Sequence, residues 1–242
     1  MTYDFQTNYA GSLHQLVSAH VPVSFIRDNS LAECACMDFC DAAQQAEIRY
    51  KGTADEIVDI AHELIHIRMQ FLDNFPLLAW PTNDSVVTAD TQDAVKRIRD
   101  AVDDTYVLHR LFEDTGQRPV SAVFYREIRK DIKQGTIRLV QGAPNMSRPL
   151  ANAWRLRLAD LSLNVFNSSL TTNQRQLAEG FLSRFVDSDT DARELFEHLR
   201  HAVTNDDLQD LQRFGEVLLC LRDRLGLPAC LHLATRQRVN GR

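Results

Sequence analysis

The sequence predicts an α+β fold that is predominantly helical, and two patterns support this prediction. Across residues 148–225, apolar side chains recur about every 3.6 positions, which is the spacing of one helix face. Between residues 23 and 50, short runs bounded by turn residues have the composition and alternation of strands. We therefore expect a small N-terminal sheet packed on the helix that follows it, and then a helical C-terminal region.

The first third of the chain alternates between helix and strand patterns. Apolar spacing predicts a helix over residues 9–20. Strands are expected over residues 23–27, 31–39 and 46–50. A strongly apolar helix then begins after Thr53, a plausible N-cap, and ends near Asn74 because Pro76 cannot continue it.

The later helices are predicted from their caps and their apolar spacing. After a loop over residues 75–84, the segment Thr88-Ala89-Asp90 is expected to cap a helix that runs to about Thr115. Further helices are expected over residues 120–134, 150–167, 173–187, 190–203 and 206–225. Gly226 ends the last helix, and residues 230–233 form a short strand or an extended tail.

The residues His62-Glu63-Leu64-Ile65-His66 form an HExxH pattern inside the apolar helix. Residues i and i+4 project from one helix face, so His62 and His66 can hold one Zn²⁺ between them. Glu63 then lies beside the metal, where a carboxylate can accept a proton from bound water. The pattern arises by chance in on the order of one such chain in a hundred. Core histidines are the alternative, but polar side chains on a buried helix need partners, which favours the metal.

The pattern and its helix resemble the zinc-dependent metallopeptidases called zincins. The resemblance implies a Zn²⁺ cofactor on His62 and His66, Glu63 as general base, and a peptide or protein substrate. It also implies that one of the strands near the motif helix presents its edge to an extended substrate, and the strand directly before that helix is a candidate edge strand. The metzincin form is excluded, because Met69 and Leu72 occupy the positions of its glycine and third histidine.

A catalytic zinc site needs a third protein ligand, and the helix after the motif helix offers the best candidates. Asp104 shares a helix face with Ala101 and Leu108, so its carboxylate can turn inward at the border of the core. We therefore predict Asp104 as the third metal ligand. The alternatives, in order, are His109, then Asp103 and Glu127.

His109 and Tyr106 have a second candidate role, as donors to the oxyanion that forms opposite a catalytic metal. A core histidine and an amphipathic tyrosine are the alternatives for these two residues. The other histidines have no partner spacing and are interpreted as surface or structural residues: His14, His20, His198, His201 and His232.

The five cysteines are expected to be free thiols, because their number is odd and the N-terminus lacks a secretory signal. Cys34, Cys36 and Cys40 lack the paired knuckles of a structural zinc site and are interpreted as buried thiols. A net charge of −6 argues against nucleic-acid and membrane partners. We expect a cytoplasmic location, and the sequence leaves the oligomeric state open.

The sequence as a whole predicts a zincin-like metallopeptidase domain over residues 1–142. Residues 143–242 form a helical region, which can belong to the same compact domain. The predicted function is zinc-dependent hydrolysis of peptide bonds. The alternative is a helical interaction or regulatory module with a structural or vestigial zinc site. Glu63 favours the enzyme, because a structural site has no use for a general base.

Overall fold

A computed structural model describes the parts of the chain that form the N-terminal sheet, the motif helix and several later helices. The described residues are 9–32, 35–40, 43–53, 56–79, 88–115, 172–173, 176, 179–180, 182–183, 190–204 and 211–235. They group into two compact units. The first is Met1–Phe75, Arg110–Pro119 and Thr235–Arg242, and the second is Pro76–His109 and Val120–Ala234.

The first unit contains a three-stranded sheet with two helices. The elements are helix α1 (Tyr9–Ser18), strands β1 (Val23–Arg27), β2 (Ala35–Cys40) and β3 (Gln45–Tyr50), and helix α2 (Glu56–Phe71). Helix α2 packs against β2, β3 and α1. Every second residue of β3, namely Ala46, Ile48 and Tyr50, is buried, as expected for a strand with one face on the core.

The strand order corrects one expectation from the sequence. The order is β1-β3-β2, with β1 parallel and β2 antiparallel to β3. The strand directly before the motif helix, β3, is therefore the centre of the sheet and has no free edge. Among the described strands of this sheet, β1 and β2 are the edges. The order of strands in the sequence does not determine their order in the sheet. Here β1 pairs with β3, although β2 comes between them in the sequence.

The interpretation of the N-terminal cysteines as buried thiols is wrong for Cys40, which is exposed, while Cys36 is half-buried. Both side chains alternate with the core-facing residues of β2, so they lie on the opposite face of the sheet. Cys34 lies outside the described residues. Cys36, Cys40, Cys220 and Cys230 are thiols that take part in no disulfide bond, as predicted.

The second unit contains helices and a small two-stranded sheet. Strand β4 (Leu77–Ala79) pairs antiparallel with strand β5 (His232–Ala234). Helices α4 (Thr190–Thr204) and α5 (Leu211–Arg224) pack on each other, and α5 also packs on both strands. The expected loop at residues 75–84 thus contains a strand. Three residues are too few to show an alternating pattern, and only their pairing with β5 makes them a strand.

Helix α3 (Ala89–Thr115) belongs to both units, because the boundary between them falls after His109. Its start is the one predicted from the sequence. The backbone amide of Thr91 donates to Oγ1 of Thr88 at 3.2 Å, which is the bond of an N-cap residue. The predicted α+β class with mainly helical content is confirmed.

Several expectations fall outside the described residues. These are the helices over 120–134 and 150–167, most of the helix over 173–187, and the division of the chain at residue 142. Within the described part of the chain, no helix has the length and apolar character needed to cross a membrane.

Candidate metal centre

Helix α2 presents its two histidines at the edge of a buried surface. Most of its apolar residues are buried, and Ile60, Leu64 and Ile67 are fully enclosed. His62 and His66 are half-buried. One helical turn separates them, so both imidazoles lie on the same side of α2, where solvent still has access.

The two imidazoles converge on a shared point. Their Nε2 atoms are 3.1 Å apart, and the ring centroids are 4.8 Å apart with an interplanar angle of 66°. Two nitrogen ligands at about 2.0–2.1 Å from one tetrahedral metal ion are about 3.3 Å apart. The observed separation therefore fits two ligands of a single ion. The same distance between the two Nε2 atoms also fits a hydrogen bond between the rings. The tautomers of the two histidines would then decide which ring is the donor.

Asp104 on α3 completes a group of three potential ligands with His62 and His66. The ligand atoms of these three residues all lie within 4.8 Å of one another, and each residue is half-buried. This group can hold a metal ion.

Glu63 is buried, with 9 % of its surface exposed, and follows His62 directly on α2. A carboxylate at this depth is expensive to bury unless its environment stabilises it. Glu63 lies about 100° around the helix from His62. It is therefore a neighbour of the ligand group and not one of its members. This arrangement fits a base that acts next to a metal ion rather than on it.

The structure separates the remaining ligand candidates. Asp103 is buried and is not one of the three residues that converge. The side chain of His109 and the whole of Glu127 lie outside the described residues. Tyr106 is buried, and its ring meets Phe214 edge to face with centroids 5.4 Å apart. Its proposed role as an oxyanion donor stays a prediction.

The sequence carries no local signal for the pairing of Arg68 with Asp114, which the structure brings together. The side chains form an ion pair with a distance of 4.0 Å between Nη1 of Arg68 and Oδ2 of Asp114. The i,i+4 spacing of Arg110 and Asp114 is visible in the sequence. Their contact with Arg68 is not visible, because it joins residues on different helices.

Comparison of the chain with protein families, with curated proteins and with solved structures gives no match. The likeness to zincins therefore rests on the HExxH residues and their helix. The functional interpretation depends on the chemistry of the residues that converge at this centre.

Proposed function

We propose that this protein is a zinc-dependent hydrolase that cleaves peptide bonds. His62, His66 and Asp104 would hold the ion, and Glu63 would act as general base. The observation that supports the proposal most strongly is the convergence of the three ligand atoms to within 4.8 Å. Three protein ligands with partial solvent access are the arrangement of a catalytic zinc site, which keeps a position open for water.

The chemistry divides between the ion and the chain. When bound, Zn²⁺ supplies a Lewis acid that lowers the pKa of coordinated water and polarises a carbonyl group. Glu63 accepts the proton of the attacking water on its carboxylate and delivers it to the leaving amine. Its burial excludes bulk water from this carboxylate, which strengthens its electrostatic interactions.

Strand β2 is the proposed binding edge for an extended substrate. It pairs with β3 on one side, and helix α2 packs against it. A peptide that paired with the other edge of β2 would form main-chain hydrogen bonds with it. Such bonds do not depend on the amino-acid sequence of the peptide. This mode of binding suits a peptide or protein substrate. The proposal includes no nucleic-acid partner, in keeping with the net charge of −6.

Glu63→Gln tests the proposed division of roles. The variant keeps the shape of the side chain and loses its basicity, so hydrolysis of a fluorogenic peptide library should fall by about 100-fold or more. Zinc content, measured by atomic absorption, should stay at the value of the parent protein. The matched control is Glu47→Gln, which removes a carboxylate from β3 that pairs with Arg49. This control should retain activity and zinc.

Two results would contradict the proposal. A parent protein that takes up no zinc after dialysis against the ion has no metal centre of this kind. A parent that binds zinc tightly but hydrolyses no peptide, with four protein ligands and no open position, has a structural site. The second result would favour an interaction module.

A further inference from the structure

Helices α1 and α2 and the last turn of α3 meet at the carboxylate of Asp114. The hydroxyl of Tyr9 on α1 donates to Oδ2 of Asp114 at 2.6 Å. Arg68 on α2 lies 4.0 Å from the same oxygen, and Nη2 of Arg110 lies 3.6 Å from Oδ1. Arg68 also pairs with Asp73, at 3.1 Å between Nε and Oδ2. We call Tyr9, Arg68, Arg110 and Asp114 the Asp114 network.

The Asp114 network is only partly solvated. The side chains of Arg68, Arg110 and Asp114 are 22 %, 24 % and 25 % exposed. Burial, together with the hydrogen bond to Asp114, raises the pKa of Tyr9 well above its ordinary value, so its hydroxyl stays protonated as a donor. The hydrogen bond from the Tyr9 hydroxyl to the carboxylate is charge-assisted and directional. The guanidinium groups of Arg68 and Arg110 lie farther from the carboxylate and add ion-pair attraction to it. They limit how far the three helices can rotate or slide past one another.

The same two helices supply the proposed metal ligands. Arg68 follows His66 by two residues on α2. Asp114 follows Asp104 by ten residues on α3, a distance of about 15 Å along a continuous helix. A helix is stiff over this length, so a change in the rotation or register of α3 at Asp114 also moves Asp104. A shift of about 1 Å is sufficient to remove a ligand from a metal ion.

We propose that Asp114 is a positioning residue for the metal centre. Through Arg68 and Tyr9 it holds α3 in the register at which the carboxylate of Asp104 reaches the ion on His62 and His66. This inference rests on the proposed function, because it requires those three residues to be ligands. It assigns to the N-terminal helix α1 a role in metal affinity that its sequence does not reveal.

Co²⁺ is the probe for this proposal, because its visible absorption depends on the number and geometry of its ligands. The parent protein and the variants Asp114→Asn, Tyr9→Phe and Asp104→Ala are loaded with Co²⁺ and their spectra and affinities compared. Loss of a supporting partner typically weakens metal binding by about 10- to 100-fold. We expect Asp114→Asn to lose at least tenfold in affinity and to shift toward the spectrum of Asp104→Ala. Tyr9→Phe should shift in the same direction by a smaller amount.

The control is Glu194→Gln, which breaks the pair of Glu194 with Arg224 between α4 and α5. It should leave the cobalt spectrum and affinity unchanged. Thermal unfolding of the metal-free variants, measured beside that of the parent, separates a local effect on the metal centre from a general loss of stability. If Asp114→Asn fails to fold, Tyr9→Phe decides the question alone, because it removes a single hydroxyl.

The results separate this inference from the proposed function. A parent that gives no cobalt spectrum overturns the proposed function and the inference with it. A parent that binds Co²⁺, combined with parent-like spectra and affinities for Asp114→Asn and Tyr9→Phe, overturns the inference alone. A weakened variant with an unchanged spectrum also overturns it, since Asp104 would then still be a ligand.

Discussion

At the scale of single residues, Gly226 shows how one backbone conformation ends a helix. Its φ angle is +63°, in the left-handed region. The amide of Gly226 donates to the carbonyl of Asp223, and that of Leu227 donates to Arg222. This pair of bonds is the Schellman motif, which satisfies the last carbonyl groups of α5. The glycine was predicted from the sequence as the end of this helix, and the structure confirms it.

Gly226→Ala should lower the free energy of unfolding by roughly 1 kcal/mol, because a side chain disfavours positive φ. A Cβ atom at this position would have no neighbour within 4 Å, so the cost comes from the backbone alone. The matched control is Gly180→Ala, at a helical position that is also open around the added Cβ. This control should instead raise stability by up to about 1 kcal/mol. Urea titrations measure both, and effects of the same sign would contradict the explanation.

The residues of the candidate site differ in how visible they are in the sequence. His62, Glu63 and His66 are predictable because a helix converts their short spacing into a fixed geometry. Asp104 is predicted from its helix face and from the place of its helix directly after the motif helix, and the structure brings it to the histidines. Its role as a ligand stays a proposal. Asp114 was not predicted, because its contacts to Tyr9 and Arg68 join residues far apart in the chain.

At the scale of elements, the three-stranded sheet depends on its central strand. Ile48 on β3 lies between Phe25 on β1 and Met37 on β2 and is fully buried. Ile26 on β1 is 42 % exposed. The two isoleucines have the same side chain and lie in the same sheet. They differ in burial, because one is on the central strand and the other is on an edge strand.

Ile48→Val should lower the free energy of unfolding by about 0.5–1.5 kcal/mol, because it deletes a buried methyl group. Ile26→Val should stay within about 0.5 kcal/mol of the parent. Valine keeps the branched Cβ of isoleucine, so strand propensity changes little at either position. Chemical denaturation monitored by circular dichroism gives both values. Equal losses at the two positions would show that β3 does not form the core of the sheet.

The sequence predicts an element well where the element has a local pattern of its own. It predicts an element poorly where pairing with a distant strand determines the structure. Helix α3 and strand β1 have the bounds expected from the sequence, within one residue. Strand β4 was missed, since its three residues become a strand through β5, more than 150 positions away. The central place of β3 was also not predictable, because hydrogen bonding between strands selects the order.

At the scale of the whole molecule, acid should destabilise the fold through two histidines whose pKa values lie below the ordinary value. Burial lowers the pKa of His14 below its ordinary value of 6.5, and burial followed by the charge of Arg224 lowers that of His198. The unfolded chain therefore binds protons at a higher pH than the folded chain does. Each histidine contributes its full stability above about pH 6.5 and loses it as the pH falls toward the folded pKa.

His14→Phe tests this dependence. The variant keeps an aromatic ring against Phe25, whose ring centroid lies 5.0 Å from that of His14, and removes the titrating group. Between pH 6.5 and 5, the variant should lose less stability than the parent, and above pH 7 the difference between the two should be constant. Urea unfolding at each pH measures this difference. A difference that does not change with pH would rule out His14 as a source of the acid sensitivity.

The sequence by itself determined the α+β class, the bounds of several helices and strands, and the HExxH group, because each depends on residues close together in the chain. Only the tertiary structure decided that β3 is the central strand, that β4 exists, and that Asp104 lies with His62 and His66 while Asp103 does not. These features depend on contacts between distant segments. Such contacts form through the packing of whole elements, and local periodicity does not encode which elements meet.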